Sequence, residues 1–470
     1  MDERLENMTE NAATGAAVAT SREGRTFHIA SLSGTSLGAG AIVLLISRDG
    51  TTQLGQIVHD DPSAVPAASG RLLGSVSVDG RVDASTTHAF AEAEVSAASD
   101  ETISAMHNWA RATLEVGRDL TPPGGLSRLL PHRFNRHTFW CGQSGSGKTY
   151  ALGVVLERLI IQTALPIVIF DPNSDFVRLA EVREGVSGPD AEALAQRDIR
   201  VLRPATDGVE PLRARFVEMS ARSKAAVLRL DPLVDRDEYN TLLHLTDTFT
   251  ISQISTLVPT LLASDDPGAR ALGVRLDNLG ILDWEVWALG GVAATDVIDT
   301  RPDATVLDLG GFSTPDQHLV IALSVLDDLW EKRESRRPVM LVIDEAHNLC
   351  SPELDSPLAV AVRERIIQIA AEGRKFGLWL LLSTQRPSKV HPGIISQCDN
   401  LALMRMSSPL DLEGLATYFG FAPPALLARS PGFRQGEALF AGGFVTAPTL
   451  LRVGERLTPE GGSDVGVPLR

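Results

Sequence analysis

Gly142, Gln143, Ser144, Gly145, Ser146, Gly147, Lys148 and Thr149 fit the pattern G-x-x-x-x-G-K-[ST] at every fixed position. The three glycines let the backbone turn tightly enough for consecutive N–H groups to point inward at phosphates. Lys148 sets a cation against the β- and γ-phosphates, and the Thr149 hydroxyl is a Mg²⁺ ligand, so the chemistry implied is binding of ATP with Mg²⁺. A Gly/Ser-rich surface loop has the same composition, and the flanks decide between the two. His137-Thr-Phe-Trp-Cys141 before the loop is short, apolar and compatible with a strand. Lys148 to Ile161 after it is apolar at helical spacing. Strand, loop and helix in that order are what a phosphate-binding loop requires.

A second constellation lies two hundred residues on. Val339-Met-Leu-Val-Ile343 is a buried-strand pattern running into Asp344 and Glu345. The first acid suits the Mg²⁺ shell and the second suits polarisation of an attacking water. Asp344-Glu-Ala-His347 also spells the DEAH box of a helicase group. Those helicases need a second nucleotide-fold lobe, and too few residues follow position 344 to build one. Leu378-Trp-Leu-Leu-Leu-Ser-Thr384 is a further strand, and Gln385 at its end is placed to sense a γ-phosphate. Arg374 lies on the loop before that strand. It is either an arginine finger reaching across a subunit interface or a surface ion pair. With one nucleotide fold in the chain, a composite site has to be completed by a neighbouring subunit.

The elements that position these residues are α/β. Leu165 to Asp171, Asp198 to Arg203 and Ala304 to Gly310 read as further strands, and a helix is expected from Pro315 to Arg333. Strands and helices alternate to about Met406, which predicts a doubly wound, mainly parallel sheet of RecA-like type. Residues 211–300 read as a helical insertion within it. Before the nucleotide core, short β-type runs at 27–32, 41–46, 52–58 and 72–78, separated by Gly- and Asp-rich turns, predict a small barrel. The expected layout is a disordered tail (1–24), a barrel (25–97), a helical connector ending in a Pro-Pro-Gly-Gly linker (98–125), the first part of the ATPase core (126–210), the insertion (211–300), the second part of the core (301–455) and a C-terminal tail (456–470).

Bulk properties narrow the partners. The 470 residues carry a formal charge of −16, which argues against a broad outer DNA-binding face and leaves room for a locally positive pore. Arg178, Arg183 and Lys389 are the candidate pore contacts. Three cysteines without C-x-x-C spacing predict neither zinc nor disulfides but small buried side chains. No apolar run reaches the ~18 residues of a membrane span, and the acidic start is not a secretory signal. A soluble, cytoplasmic protein is expected, and a membrane-anchored conjugation or secretion motor is disfavoured. No acid cluster with metal-nuclease spacing stands apart from the nucleotide motifs.

The ordered set of motifs resembles the HerA branch of the HerA/FtsK superfamily of hexameric DNA-pumping ATPases. It comprises Asn135-Arg-His137, the phosphate loop, Asp171-Pro-Asn-Ser-Asp175, Leu228-Arg-Leu-Asp-Pro232, Ile343-Asp-Glu-Ala-His347, Glu372-Gly-Arg-Lys-Phe-Gly377, Ser383-Thr-Gln-Arg-Pro-Ser388, Ser396-Gln-Cys398 and Gly436-Glu-Ala-Leu439. After the second strand this chain has Asp-Pro-Asn-Ser-Asp-Phe where the family often has Asp-Pro-His-Gly-Glu-Tyr. The resemblance implies a homohexameric ring with double-stranded DNA in the pore. It makes Arg374 a finger and Arg136 a second arginine near the nucleotide. It also implies a partner docked on the barrel, either a NurA-type nuclease in DNA-end processing or a nuclease or NAD-consuming effector in phage defence. The alternative from another class is an ATP-dependent ring scaffold that assembles and regulates an effector enzyme.

Overall fold

A computed structural model describes residues 17–32, 35–60, 67–121, 123–204, 210–245 and 254–462. The expected tails at 1–16 and 463–470, and Pro122 of the expected linker, lie outside the described residues. The chain divides into two compact units. One holds Met1–Phe134, Thr138–Arg158 and Asp399–Glu455; the other holds Asn135–His137, Leu159–Cys398 and Arg456–Arg470. No helix among the described residues is long and apolar enough to cross a membrane.

The first unit begins with β1 (Ala17–Ser21), β2 (Thr26–Ile29), β3 (Ile42–Ser47), β4 (Thr52–Asp60), β5 (Ala68–Val76), β6 (Val82–Asp83) and β7 (Phe90–Ala97). The order is β2-β1-β7-β3-β4-β5, and β2 also pairs with β5, so six antiparallel strands close into a barrel with β6 on the outside of β5. Phe27, Ile29, Val43, Leu45 and Ile57 fill it. The Phe27 ring lies so close to β5 that a Cβ on Gly70 would stand 2.2 Å from it, so that position has room only for glycine. Residues 17–21, expected in the tail, form β1. Their side chains are too small to announce a core strand, yet Ala17, Ala19 and Ser21 alternate inward and the main chain pairs with strands on both sides.

The connector is also not a linker. A helix at Asp100–Ala110, capped by the Ser99 hydroxyl, leads into the antiparallel hairpin of β8 (Leu114–Leu120) and β9 (Pro123–Leu129). Proline suits the first position of a strand, where a ladder N–H is not required. β10 (His137–Cys141) follows and enters the phosphate loop.

The second unit contains β11 (Ile167–Asp171), β12 (Ile199–Leu202), β13 (Ala304–Asp308), β14 (Val339–Ile343) and β15 (Leu378–Thr384). They are parallel in the order β12-β13-β11-β14-β15. Every residue of β11, β13 and β14 is buried, the pattern of strands covered on both faces. Helices at Pro315–Glu331 and Pro357–Glu372 supply long connections of the kind parallel pairing needs. Between β12 and β13 the described chain is mainly helical, with helices at Ala221–Val227, Arg236–Leu245, Ile254–Leu262, Pro267–Leu279 and Ala294–Asp299. The segment from Arg456, expected to be a tail, is anchored. Arg456 is fully buried with its guanidinium over the Phe176 ring, and Gly461 N–H donates to the Asp175 carbonyl at 3.0 Å.

β16 (Cys398–Met404), β17 (Glu437–Gly442) and β18 (Thr449–Val453) complete the strands. In the first unit β16 neighbours β10, and β16-β17-β18-β8-β9 continue antiparallel. The expectation of a mainly parallel sheet, drawn from strand–helix alternation to about Met406, does not extend to the strands after β16, which are antiparallel. The link between β17 and β18 is too short for the crossover a parallel pair needs, so the strands turn back on each other. The barrel is tied to the same unit. Gln56 Nε2 donates to the Pro448 carbonyl at 2.6 Å, and Ala447 packs in one cluster with Ile42, Leu54 and Met106. Cys141, Cys350 and Cys398 are buried and form no disulfide, and burial pushes the first two thiols far above the ordinary range.

Candidate functional site

The phosphate loop is built as its glycines require. Gly145 and Gly147 adopt φ of +70° and +86°, the left-handed region that costs other residues. Lys148 and Thr149 open the helix Lys148–Gln162, so the loop ends on a helix N-terminus, where backbone N–H groups and the macrodipole favour an anion. Lys148 is buried, and Thr149 is half-buried. The loop is held from behind by the ends of β16 and β17. Gln143 N–H donates to the Arg405 carbonyl at 2.9 Å and Gly436 N–H to the Ser146 carbonyl at 3.0 Å. Ser407 N–H donates to Gln143 Oε1 at 3.0 Å, and Arg405 Nη2 to the Gly145 carbonyl at 3.2 Å.

In the second unit, register brings the acids together. Phe170 of β11 lies opposite Ile343 of β14, and Asp171 of β11 opposite Asp308 of β13. Three adjacent parallel strands thus run out into Asp308, Asp171 and Asp344. Asp308 is met by Arg203 Nε at 2.8 Å. Asp171 accepts from the N–H groups of Asp175 at 2.9 Å and Phe176 at 2.7 Å, which folds the following loop around it. Burial pushes Asp171 up to about 7 against those two bonds, and the charges of Asp344 and Asp175 push the same way. Carboxylate oxygens of Asp171, Asp175 and Asp344 lie within 4.8 Å of one another, a hard-oxygen set suited to a divalent cation such as Mg²⁺. Ser174, in the position where the family has glycine, takes φ +61° and donates its hydroxyl to Asp308 Oδ1 at 2.7 Å.

Glu345 is 5% exposed and has φ +43°, a strained backbone at the end of β14. Gln385 Nε2 donates to its Oε1 at 2.7 Å, and His347 Nδ1 lies 3.2 Å from its Oε2. The pairing of Ile343 with Leu382 in β14 and β15 sets the two strand ends side by side and makes this contact reachable. A carboxylate oriented by an amide can accept a proton from water, and the same amide can report what occupies the space beside it.

Arg374 is exposed on the turn Gly373–Phe376, between the helix Pro357–Glu372 and β15. It lines a cleft of about 420 Å³ with Asn135, Arg136, Glu372, Lys375 and Trp379. Arg136 and Arg374 are therefore brought together. The neighbouring His137 accepts from Leu380 N–H at Nδ1, 2.9 Å, and so carries its proton on Nε2, which donates to the Ala370 carbonyl at 3.0 Å. It fixes both ends of the segment that bears Arg374. Of the DNA candidates, Arg178 pairs with Glu181 at 2.8 Å and Lys389 with Glu353 at 2.5 Å, so each charge is locally offset.

Two groups escaped the sequence reading. Asp171 and Asp175 were visible as residues, but their place beside Asp344 depends on strand order. Arg405 follows the strand that Ser396-Gln-Cys398 opens, but nothing in that motif points to the residue at the strand's far end.

Residues 130–256 match the family model described as the central domain of helicase HerA. The chain is 30% identical over 138 residues to the DNA double-strand break repair helicase HerA of Pyrococcus furiosus, covering 28% of this chain and 24% of that protein. It is 29% identical over 152 residues to a probable helicase of Methanocaldococcus jannaschii, covering 31% and 29%. The chain thus spans less than a third of the length of these curated relatives. Among solved structures, VirB4 of Thermoanaerobacter pseudethanolicus is similar with a TM-score of 0.50 at 17% identity, covering 73% of this chain and 96% of that one, a likeness of fold. The resemblance to HerA-type ATPases carried by the motifs is borne out.

Proposed function

We propose that this chain is an ATP-driven DNA translocase of the HerA type, with a RecA-like core, working as a homohexameric ring around double-stranded DNA. The observation that carries this reading is the buried Glu345 carboxylate, held by the Gln385 amide directly after Asp344. In this reading the N–H groups of the phosphate loop and Lys148 hold the phosphates. Glu345 orients the attacking water and takes its proton. Asp344, with Asp171 and Asp175 beside it, would hold a Mg²⁺ ion, a role the sequence pattern also gives Thr149, and the ion would supply neutralisation of the phosphate charge. The Gln385 amide is a donor that Glu345 and the γ-phosphate can both accept from, so loss of that phosphate is felt at the end of β15 and in the turn Pro387–Lys389. Arg374 and Arg136 line an open cationic cleft, a form suited to a triphosphate presented by the neighbouring subunit. DNA as the track is supported by the repair helicase among the relatives. A partner nuclease or NAD-consuming effector docks on the barrel.

ATP hydrolysis with and without linear duplex DNA tests this, and stimulation by DNA is expected. A rate indifferent to DNA, with ATP-dependent capture of an effector enzyme, would favour the scaffold reading instead. Mixing Arg374→Ala with Glu345→Gln subunits should restore partial hydrolysis at interfaces where both intact groups meet. Full activity in a sedimentation-verified monomer would overturn the ring.

A further inference from the structure

Arg405 stands directly after β16, outside every motif of the sequence, yet its main chain and side chain both grip the phosphate loop. Its carbonyl takes the Gln143 N–H at 2.9 Å, and its Nη2 donates to the Gly145 carbonyl at 3.2 Å. Two residues on, Ser407 N–H holds the Gln143 side chain at 3.0 Å. The loop is thus pinned at three points by one short segment, on the side of β10 where β16 lies. The guanidinium is half-buried, and its Nε is buried with no acceptor among the described residues. A guanidinium has five donors in a rigid plane and keeps its charge at every working pH.

The choice of carbonyl matters. Gly145 sits at φ +70°, and its carbonyl belongs to the peptide whose N–H is that of Ser146. Fixing that carbonyl fixes the whole peptide plane, and its N–H donates back to the Gln143 carbonyl at 3.2 Å, so Arg405 holds the turn from Gln143 to Ser146 closed from outside. A loop with these torsions has many other conformations open to it because of its glycines. Each of them would have to be given up when a phosphate binds, and a brace already present in the free protein removes that cost. The charge adds to the effect, since a cation a few ångströms behind a phosphate site still favours the anion.

We propose that Arg405 is a positioning residue for the nucleotide: it holds the phosphate loop in its binding-ready form through the Gly145 carbonyl and adds a second, same-subunit positive charge to that of Lys148. The proposal rests on the reading of residues 142–149 as a nucleoside triphosphate site. It assigns to Arg405 a role distinct from that of Arg374, because Arg405 acts on the loop of its own chain.

The test measures ATPγS and ADP binding to wild type, Arg405→Ala and Arg405→Lys, by titration and by the rise in melting temperature that each nucleotide causes relative to the same protein without nucleotide. Arg405→Ala should bind ATPγS about tenfold more weakly, the scale of one lost charge-assisted hydrogen bond. Arg405→Lys keeps the charge and one donor and should lose less. In turnover, KM for ATP should rise with kcat nearly unchanged, because ground state and transition state need the same loop. Referring each nucleotide shift to the variant's own melting temperature keeps any general loss of stability out of the comparison. If Arg405→Ala binds ATPγS as wild type does, the proposal is overturned. Equal losses in alanine and lysine variants would overturn the charge part of it. If wild type itself shows no nucleotide shift, it is the underlying site reading that has failed, and the two failures are told apart.

Discussion

The phosphate loop and the acid cluster are built in opposite ways. The loop is eight consecutive residues whose own torsions nearly fix its shape, and distant residues only brace it. The acid cluster is only partly local, since Asp171 and Asp175 share one loop while Asp344 comes from another strand end. Asp171, Asp344 and Gln385 come from three strand ends, and only the order β11-β14-β15 and its register bring them side by side. A contiguous motif carries its chemistry wherever the fold allows a strand, a turn and a helix. A dispersed one carries none until the sheet is assembled. The loop should therefore be sensitive to changes in its own backbone, and the acids to changes in charge and in neighbouring strands.

The largest effects should separate the two regions by function. Lys148→Ala should abolish measurable ATPγS binding. Glu345→Gln should bind ATPγS normally and lose about 10²- to 10⁴-fold in turnover, the range for a lost general base. Titration with a fluorescent nucleotide beside single-turnover hydrolysis gives both quantities. Near-wild-type hydrolysis by Glu345→Gln would remove the base from this side of the comparison. Loss of binding in that variant would mean that the two regions are not separable.

The backbone of the loop comes next. Gly145→Ala and Gly147→Ala place a Cβ on residues with φ of +70° and +86°. The left-handed conformation costs roughly 1–2 kcal/mol for such a residue, which is about five- to thirtyfold in nucleotide affinity if the loop must keep its shape. The matching change among the acids runs the other way. Ser174→Gly relieves a φ of +61° but gives up the hydroxyl bond to Asp308, so its net effect on stability, read from melting curves, should stay within about 0.5 kcal/mol. A Ser174→Gly effect as large as that of Gly145→Ala would show the second loop to be as tightly determined as the first.

What was legible in the sequence follows the same division. The phosphate loop, Asp344 with Glu345, and Gln385 could be read because each sits at the end of an apolar run with a chemical signature. Their partners could not. Asp171 ends an equally apolar run, but that it faces Asp344 depends on β11 lying between β13 and β14. β1 was missed because alanines carry little hydrophobic signal, and the β8–β9 hairpin because Pro-Pro-Gly-Gly reads as a linker when the pairing partner, β18, lies more than 300 residues away. In each case the deciding interaction is main-chain pairing or packing across long sequence separation, to which composition and spacing are blind.

An effect expected on stability and not on activity checks whether a raised proton affinity marks function at all. Asp119, on β8 and outside both regions, is buried, accepts the Ser127 hydroxyl, and is pushed by burial from 3.8 up to about 6, with help from the charge of Asp100. In the folded chain it therefore holds its proton through a window, from about pH 4 to about pH 6, in which the unfolded chain has released it. Fewer protons on the unfolded state mean that stability falls as pH rises through that window and is level above it. Asp119→Asn keeps an oxygen for Ser127 and removes the titration. It should be nearly neutral at pH 4 and more stable than wild type at pH 7, by on the order of 1 kcal/mol or about 2–4 °C, with ATPase activity unchanged. Melting curves at the two pH values, with hydrolysis measured alongside, give the answer. A gain that does not depend on pH would mean that folding does not raise the proton affinity of Asp119. Loss of activity would mean that the hairpin's buried acid belongs to the machinery, and the line drawn between the functional acids and the rest would have to move.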